Sequence, residues 1–116
     1  MITKIVLSAL IMLESVLLGG AKVLRAESMQ KRAAHVGFTV DEYQKVGALE
    51  VLAAVGLGIG IGVPVIGALA GCGLLVLLGG ALVAHLKAGD GPLEMAPAIV
   101  VAVLVSAYLV TAVVIA

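Results

Sequence analysis

Between Val51 and Ala84 the chain carries no charged side chain. Wound into one helix, that run would extend about 50 Å, well beyond the roughly 30 Å hydrocarbon thickness of a bilayer. It therefore has to reverse. Its one good helix breaker is Gly62-Val63-Pro64, so two helices are expected to meet there in a tight hairpin with no charge in its turn. The run ends abruptly at its other side. His85, Lys87 and Asp90 arrive within six positions, directly after Gly79-Gly80-Ala81 and Leu82-Val83-Ala84. Small residues where helices pack, followed by ionisable groups, mark a helix reaching the water boundary. A functional site is expected in that layer.

Composition agrees with a membrane setting. Hydrophobic residues make up 63% of the chain and charged residues 12%, against about half and about a quarter in soluble domains. At about 20 residues per span, the 116 residues hold four or five crossings and no separate soluble domain. The reading is an all-α membrane protein, a four-transmembrane-helix bundle forming a single transmembrane domain over residues 1–116. Its spans are placed at about 2–24, 43–62, 65–87 and 95–116, with a polar loop at 25–42. The formal charge is zero, which gives no reason to expect a nucleic-acid partner. Cys72 is the lone cysteine; it cannot close an internal disulfide and is read as a small buried hydrophobe. The opening Met1-Ile2-Thr3-Lys4 mimics a signal peptide, but the apolar segment after it carries Glu14 and lacks a small-x-small cleavage site, so it is read as a retained span.

In the first span Ile11, Ser15, Leu18 and Lys22 share one face, with Glu14 beside it. This polar stripe should turn away from lipid, and Gly19-Gly20 permit close helix contact next to Lys22. Glu14 lies deeper than the other ionisable groups, where burial favours the protonated form of a carboxyl. The polar loop contains a short amphipathic stretch, Ala26–Ala34, and His35, read as solvated. Thr39 with Glu42 three residues later forms a capping box that starts the second span. Tyr43, Val46, Gly47 and Glu50 fall on one face of that span. Its second half alternates glycine with aliphatics from Gly56 to Gly62, but Ile61 stands where G-x-G-x-x-G needs glycine and no strand precedes it, which excludes a dinucleotide loop. Glycines four apart, Gly56/Gly60, Gly58/Gly62 and Gly67/Gly71, suit close helix packing instead. The third span ends at Ala88-Gly89-Asp90-Gly91-Pro92, glycine for the cap and proline just beyond. The fourth, with only Ser106, Tyr108 and Thr111 as polar groups, is expected to be a lipid-facing closing helix.

Lys22, Arg25, Lys31, Arg32, Lys45 and Lys87 fall on one side of such a bundle and Lys4 on the other. The positive-inside rule places loops one and three in the cytoplasm and both termini outside, in a bacterial inner membrane. Lys22, Glu50, His85 and Asp90 then reach one layer. An unpaired charge in a bilayer costs several kcal/mol, so Glu50 is expected to pair with Lys22 or with His85. One reading of this layer is structural, an ion pair that fixes helix register. The other is a polar pocket, in which Lys22, Tyr43, Glu50, His85 and Asp90 bind a ligand, or Glu50 and His85 act as an acid–base pair. Two distant histidines without HxxE or HxH spacing make a metal site a poor fit.

The segments Gly20-Ala21-Lys22-Val23-Leu24, His35-Val36-Gly37, Gly47-Ala48-Leu49-Glu50 and above all Gly80-Ala81 followed by His85-Leu86-Lys87-Ala88-Gly89-Asp90 resemble the DoxX-like family of small bacterial membrane proteins over nearly the whole chain. The resemblance implies a four-helix membrane protein. Better-studied relatives are tied to membrane redox systems, a thiosulfate–quinone oxidoreductase subunit and an oxidative-stress complex. With one cysteine and no cofactor motif, this chain would supply at most a quinone site or a membrane anchor. The favoured expectation is a non-enzymatic component that binds a lipid-soluble molecule of quinone or isoprenoid type, or a membrane redox partner. The alternatives are a small enzyme using Glu50 and His85 on an isoprenoid, epoxide or quinone-like substrate, and a transporter subunit with Glu50 as the proton-linked carboxylate. No cofactor beyond a quinone is expected. The bilayer is the expected surrounding partner, and the glycine-rich helix faces suggest a homo-oligomer.

Overall fold

The computed structural model describes residues 2–115; Met1 and Ala116, the latter closing the expected fourth span, lie outside the described residues. Five helices follow in order: α1 (Ile2–Val23), α2 (Glu27–His35), α3 (Val40–Ile59), α4 (Pro64–Lys87) and α5 (Pro92–Ile115). The described residues contain no strand. The hairpin falls where the sequence places it. Gly60 caps α3, three residues unwind, and Pro64 occupies the first turn of α4, where its missing N–H costs nothing. Pro92 opens α5 in the same way, three residues earlier than expected.

Helices α1, α4 and α5 (through Ala112) are long and apolar enough to cross a membrane. The fourth long helix, α3, falls short of that measure because Asp41, Glu42, Lys45 and Glu50 lie along it. The four long helices form a ring in which α1 and α4 each pack on both α3 and α5, while the diagonal pairs α1/α4 and α3/α5 do not approach each other. The short α2 lies against α3 and α1 and buries Met29 and Ala33, four apart on its inner face.

The core is narrow and built of Ile11, Ala53, Leu57, Leu74, Val101, Val105 and Tyr108. Large apolar side chains point outward instead: Leu13 and Leu17 on α1, Leu52 and Val55 on α3, Leu69 and Val76 on α4, Val103 and Val110 on α5. In water such a surface would drive association; in lipid it is the solvated face. Small residues inside let backbones meet. A Cβ on Gly47 would sit 2.6 Å from the Gly19 carbonyl oxygen, so α1 and α3 touch backbone to backbone. On α4, Gly67 and Gly71 leave a groove filled by Tyr108 and Leu109 of α5.

Three expectations are corrected. Helix α5 is not merely lipid-facing: Val101, Val105 and Tyr108, spaced four and three apart, form a fully internal stripe. Gly79 and Gly80 pack against nothing, because the bundle opens at their level. Cys72 is exposed, since it sits one position past the packed Gly71 and is rotated outward.

Candidate functional site

The Gly19–Gly47 contact sets the site. Lys22 and Glu50 each follow their glycine by three residues, one helical turn on the same face, so the crossing brings them opposite one another. Lys22 Nζ donates to Glu50 Oε1, and each side chain is 11% exposed. This resolves the expected pairing in favour of Lys22; His85 is engaged elsewhere. The ammonium also lies 5.1 Å from the centre of the Tyr43 ring, within cation–π range. Phe38 meets Tyr43 edge-on at 6.1 Å and holds that ring in place.

A second cluster forms where α4 ends. Ala88 caps the helix and Gly89 takes φ +78°, a left-handed conformation that glycine adopts without a Cβ clash. The Gly89 N–H then donates to the Leu86 carbonyl at 3.1 Å and the Asp90 N–H to the His85 carbonyl at 3.0 Å, the paired bonds of a Schellman turn. This folds Asp90 back under His85, with its Oδ2 2.6 Å from His85 Nδ1. Helix α2 ends by the same device: Gly37 has φ +81° and the Phe38 N–H donates to the Ala33 carbonyl at 2.8 Å. That turn presents His35, whose Nε2 lies 2.7 Å from Asp90 Oδ1.

One carboxylate thus joins two imidazoles from separate helices, and its side chain is 7% exposed. An ionised carboxylate only accepts hydrogen bonds, so His85 Nδ1 and His35 Nε2 both carry hydrogen. His85 Nε2 is the nitrogen left over. The hydrogen bond from His85, and next that from His35, hold the Asp90 carboxyl below the ordinary aspartate range. At the start of α3 the expected capping box is present. Thr39 N–H donates to Glu42 at 2.9 Å and Glu42 N–H to Thr39 Oγ1 at 3.1 Å. The Thr39 backbone bond lowers the Glu42 carboxyl as well.

A cavity of about 730 Å³ joins these clusters. Lys22, Tyr43, Glu50, His85 and Asp90, the residues singled out in the sequence, all line it. Its walls are otherwise largely apolar, with Leu18, Leu74, Leu77, Leu78, Ala81 and Pro97 among them. Five further ionisable groups line it that the sequence does not single out: Glu14, Lys31, Arg32, His35 and Glu94. His35 was read as solvated; it is exposed, yet bonded across the mouth of the cavity. Its partner Asp90 lies 55 residues away, and no local pattern around His35 points to it. No group of three or more His, Cys, Asp or Glu among the described residues is arranged to hold a metal ion.

The sequence profile of the DoxX-like family matches residues 6–108, a stretch that takes in every residue lining the cavity. The chain belongs to the DoxX-like family. With its long apolar helices, this makes it a membrane protein of DoxX-like type. No curated protein and no solved structure matches the chain.

Proposed function

We propose that this DoxX-like protein is a non-enzymatic membrane component that holds a lipid-soluble molecule with a polar head, of quinone or isoprenoid type, and presents it to a membrane partner such as a redox protein. The observation that supports this reading is a cavity with mostly apolar walls and ionisable groups drawn from α1, α3, the end of α4 and the α4–α5 turn. Ligand pockets combine these features: apolar area for affinity, a few fixed polar groups for orientation.

The same reading includes α3 as a fourth span. Pairing Glu50 with Lys22 removes most of what would keep the inner half of α3 out of lipid, and Asp41, Glu42 and Lys45 sit in its first turns. Six of the seven Lys and Arg residues then gather at the cavity end, so that end faces the cytoplasm of a bacterial inner membrane and the termini lie outside. Gly73 on α4, outside the cavity lining and with open space before it, offers a point of close approach for self-association.

A second reading rests on the His85–Asp90 bond. A carboxylate that fixes a histidine tautomer and leaves its other nitrogen as a base is a recurring acid–base arrangement. In an enzyme acting on an isoprenoid, epoxide or quinone-like substrate, His85 would be paired with Asp90, and Glu50, bound by Lys22, would not be its partner.

Native mass spectrometry with lipid analysis tests the first reading. A small apolar molecule should copurify with the wild type and be lost from the Glu50→Gln, His85→Ala double variant. Identical ligand-free spectra, with the variant only less stable, would reduce both clusters to structural ion pairs.

A further inference from the structure

We propose that Glu14 is the ligand-pairing carboxyl of the cavity, and that the occupant it selects is an amphiphile bearing a positive charge, such as a lipophilic amine or other organic cation. The inference rests on the binding reading above and specifies its ligand class.

Four carboxyls line the cavity, Glu14, Glu50, Asp90 and Glu94, and its remaining lining cations, Lys31 and Arg32, are exposed on α2. Glu50 is neutralised by Lys22. Asp90 is held by two histidines. Glu94 accepts from the Gly91 N–H at 2.9 Å beside the α5 N-terminus, where the helix dipole favours an anion. Among the described residues, Glu14 alone of the lining carboxyls makes no ion pair and accepts from no backbone N–H. Its one hydrogen bond comes from the Ser15 hydroxyl at 3.4 Å, a long and weak contact. The nearest cation on its own helix is Lys22, two turns away and already bonded to Glu50.

Glu14 lies in the middle of α1, with Leu18 and Leu74 lining the cavity alongside it. An intramembrane ionisable group without a partner marks a candidate site, and the missing partner defines its ligand. Here a ligand cation takes the place of the proton that a desolvated, unpaired carboxyl otherwise keeps, and its apolar body fills the leucine-lined space. Pairing in such a low-dielectric setting is stronger than at a wet surface. Glu14, and not Glu50, is therefore the carboxyl available for exchange with a ligand.

The test uses the full chain in detergent or nanodiscs with two probes of equal size and opposite charge, tetraphenylphosphonium and tetraphenylborate. Tetraphenylphosphonium should bind saturably to the wild type and tetraphenylborate should not. Glu14→Gln should weaken tetraphenylphosphonium at least about tenfold, equivalent to about 1.4 kcal/mol, while Glu14→Asp retains most of the affinity. The Asp variant guards against a folding defect, checked by thermal unfolding of each protein. Equal binding of both probes, unchanged binding by Glu14→Gln, or no saturable binding of tetraphenylphosphonium would each overturn the proposal. A short-chain benzoquinone run in parallel separates the two levels. If it binds where tetraphenylphosphonium does not, the charge assignment fails and the cavity reading stands. If neither binds, both fail.

Discussion

The two ends of the bundle solve the same problem in opposite ways. At the hairpin end Gly60 of α3 meets Gly67 of α4 backbone to backbone, and Tyr108 fills the space beside Gly67 and Gly71. That end is closed. At the other end the α1–α3 crossing is just as tight, but α4 and the start of α5 stand away from it and leave the cavity. Polar groups differ accordingly. The buried hydroxyls near the closed end, Ser8 and Tyr108, face each other without a well-formed hydrogen bond. At the open end Lys22–Glu50, Arg25–Asp41 and His35–Asp90 join groups from different elements. Close backbone contact at both ends comes from glycine, and only at the open end do charge pairs add to it. Each end should therefore fail to a different kind of substitution.

The largest effect is expected from removing half of a charge pair. Glu50→Ala leaves Lys22 without its partner, which should cost about 3–5 kcal/mol, read by unfolding in mixed micelles. Changing both, Lys22→Met with Glu50→Leu, should recover most of that stability while leaving the closed end untouched. A double variant as unstable as the single would show that the pair is not the source of the loss. Next comes overpacking of the closed end. Gly67→Val drives a side chain into the Tyr108 ring and hydroxyl and should cost about 1–3 kcal/mol, with no change in ligand binding at the open end. A variant of full stability would mean that α4 and α5 are not packed as described.

A smaller effect concerns pH. The Asp90 carboxyl is lowered in the fold, so the stabilisation it gives is present above the ordinary aspartate value of about 3.9. It is lost only as pH falls through the lowered value. The carbon-13 shift of the Asp90 carboxyl should therefore titrate below about 3.9. His85→Ala should move it back further than His35→Ala, in the order of the two hydrogen bonds. A titration in the ordinary range in the wild type would contradict the bridge. Smallest is Gly89→Ala, which puts a Cβ into a left-handed residue and should cost about 1–2 kcal/mol, loosening Asp90 without unpairing Lys22.

Much of this was legible beforehand because it depends on local chemistry. The unbroken apolar run required a reversal, and Gly62-Val63-Pro64 supplied it. Thr39 and Glu42 announced their cap. The stripe from Ser15 to Lys22 pointed inward as its spacing implied. What was not legible depended on which helices meet. Tyr108 looks like an ordinary polar residue in an apolar helix until Gly67 and Gly71 are seen to face it. His35 is 55 residues from Asp90, and nothing in its neighbourhood shows that α2 ends beside the α4–α5 turn. Glu14 was set aside for its depth, which is the property that leaves it without a partner.

The most direct measurement is thiol labelling of single cysteines in a Cys72→Ser background. Ala81→Cys places a small thiol on the cavity wall, and Val105→Cys places one in the closed core. The account predicts that a maleimide labels the first and not the second, and that a short-chain benzoquinone or tetraphenylphosphonium slows labelling at residue 81. Equal labelling at both positions, or labelling at residue 81 that neither compound slows, would contradict it.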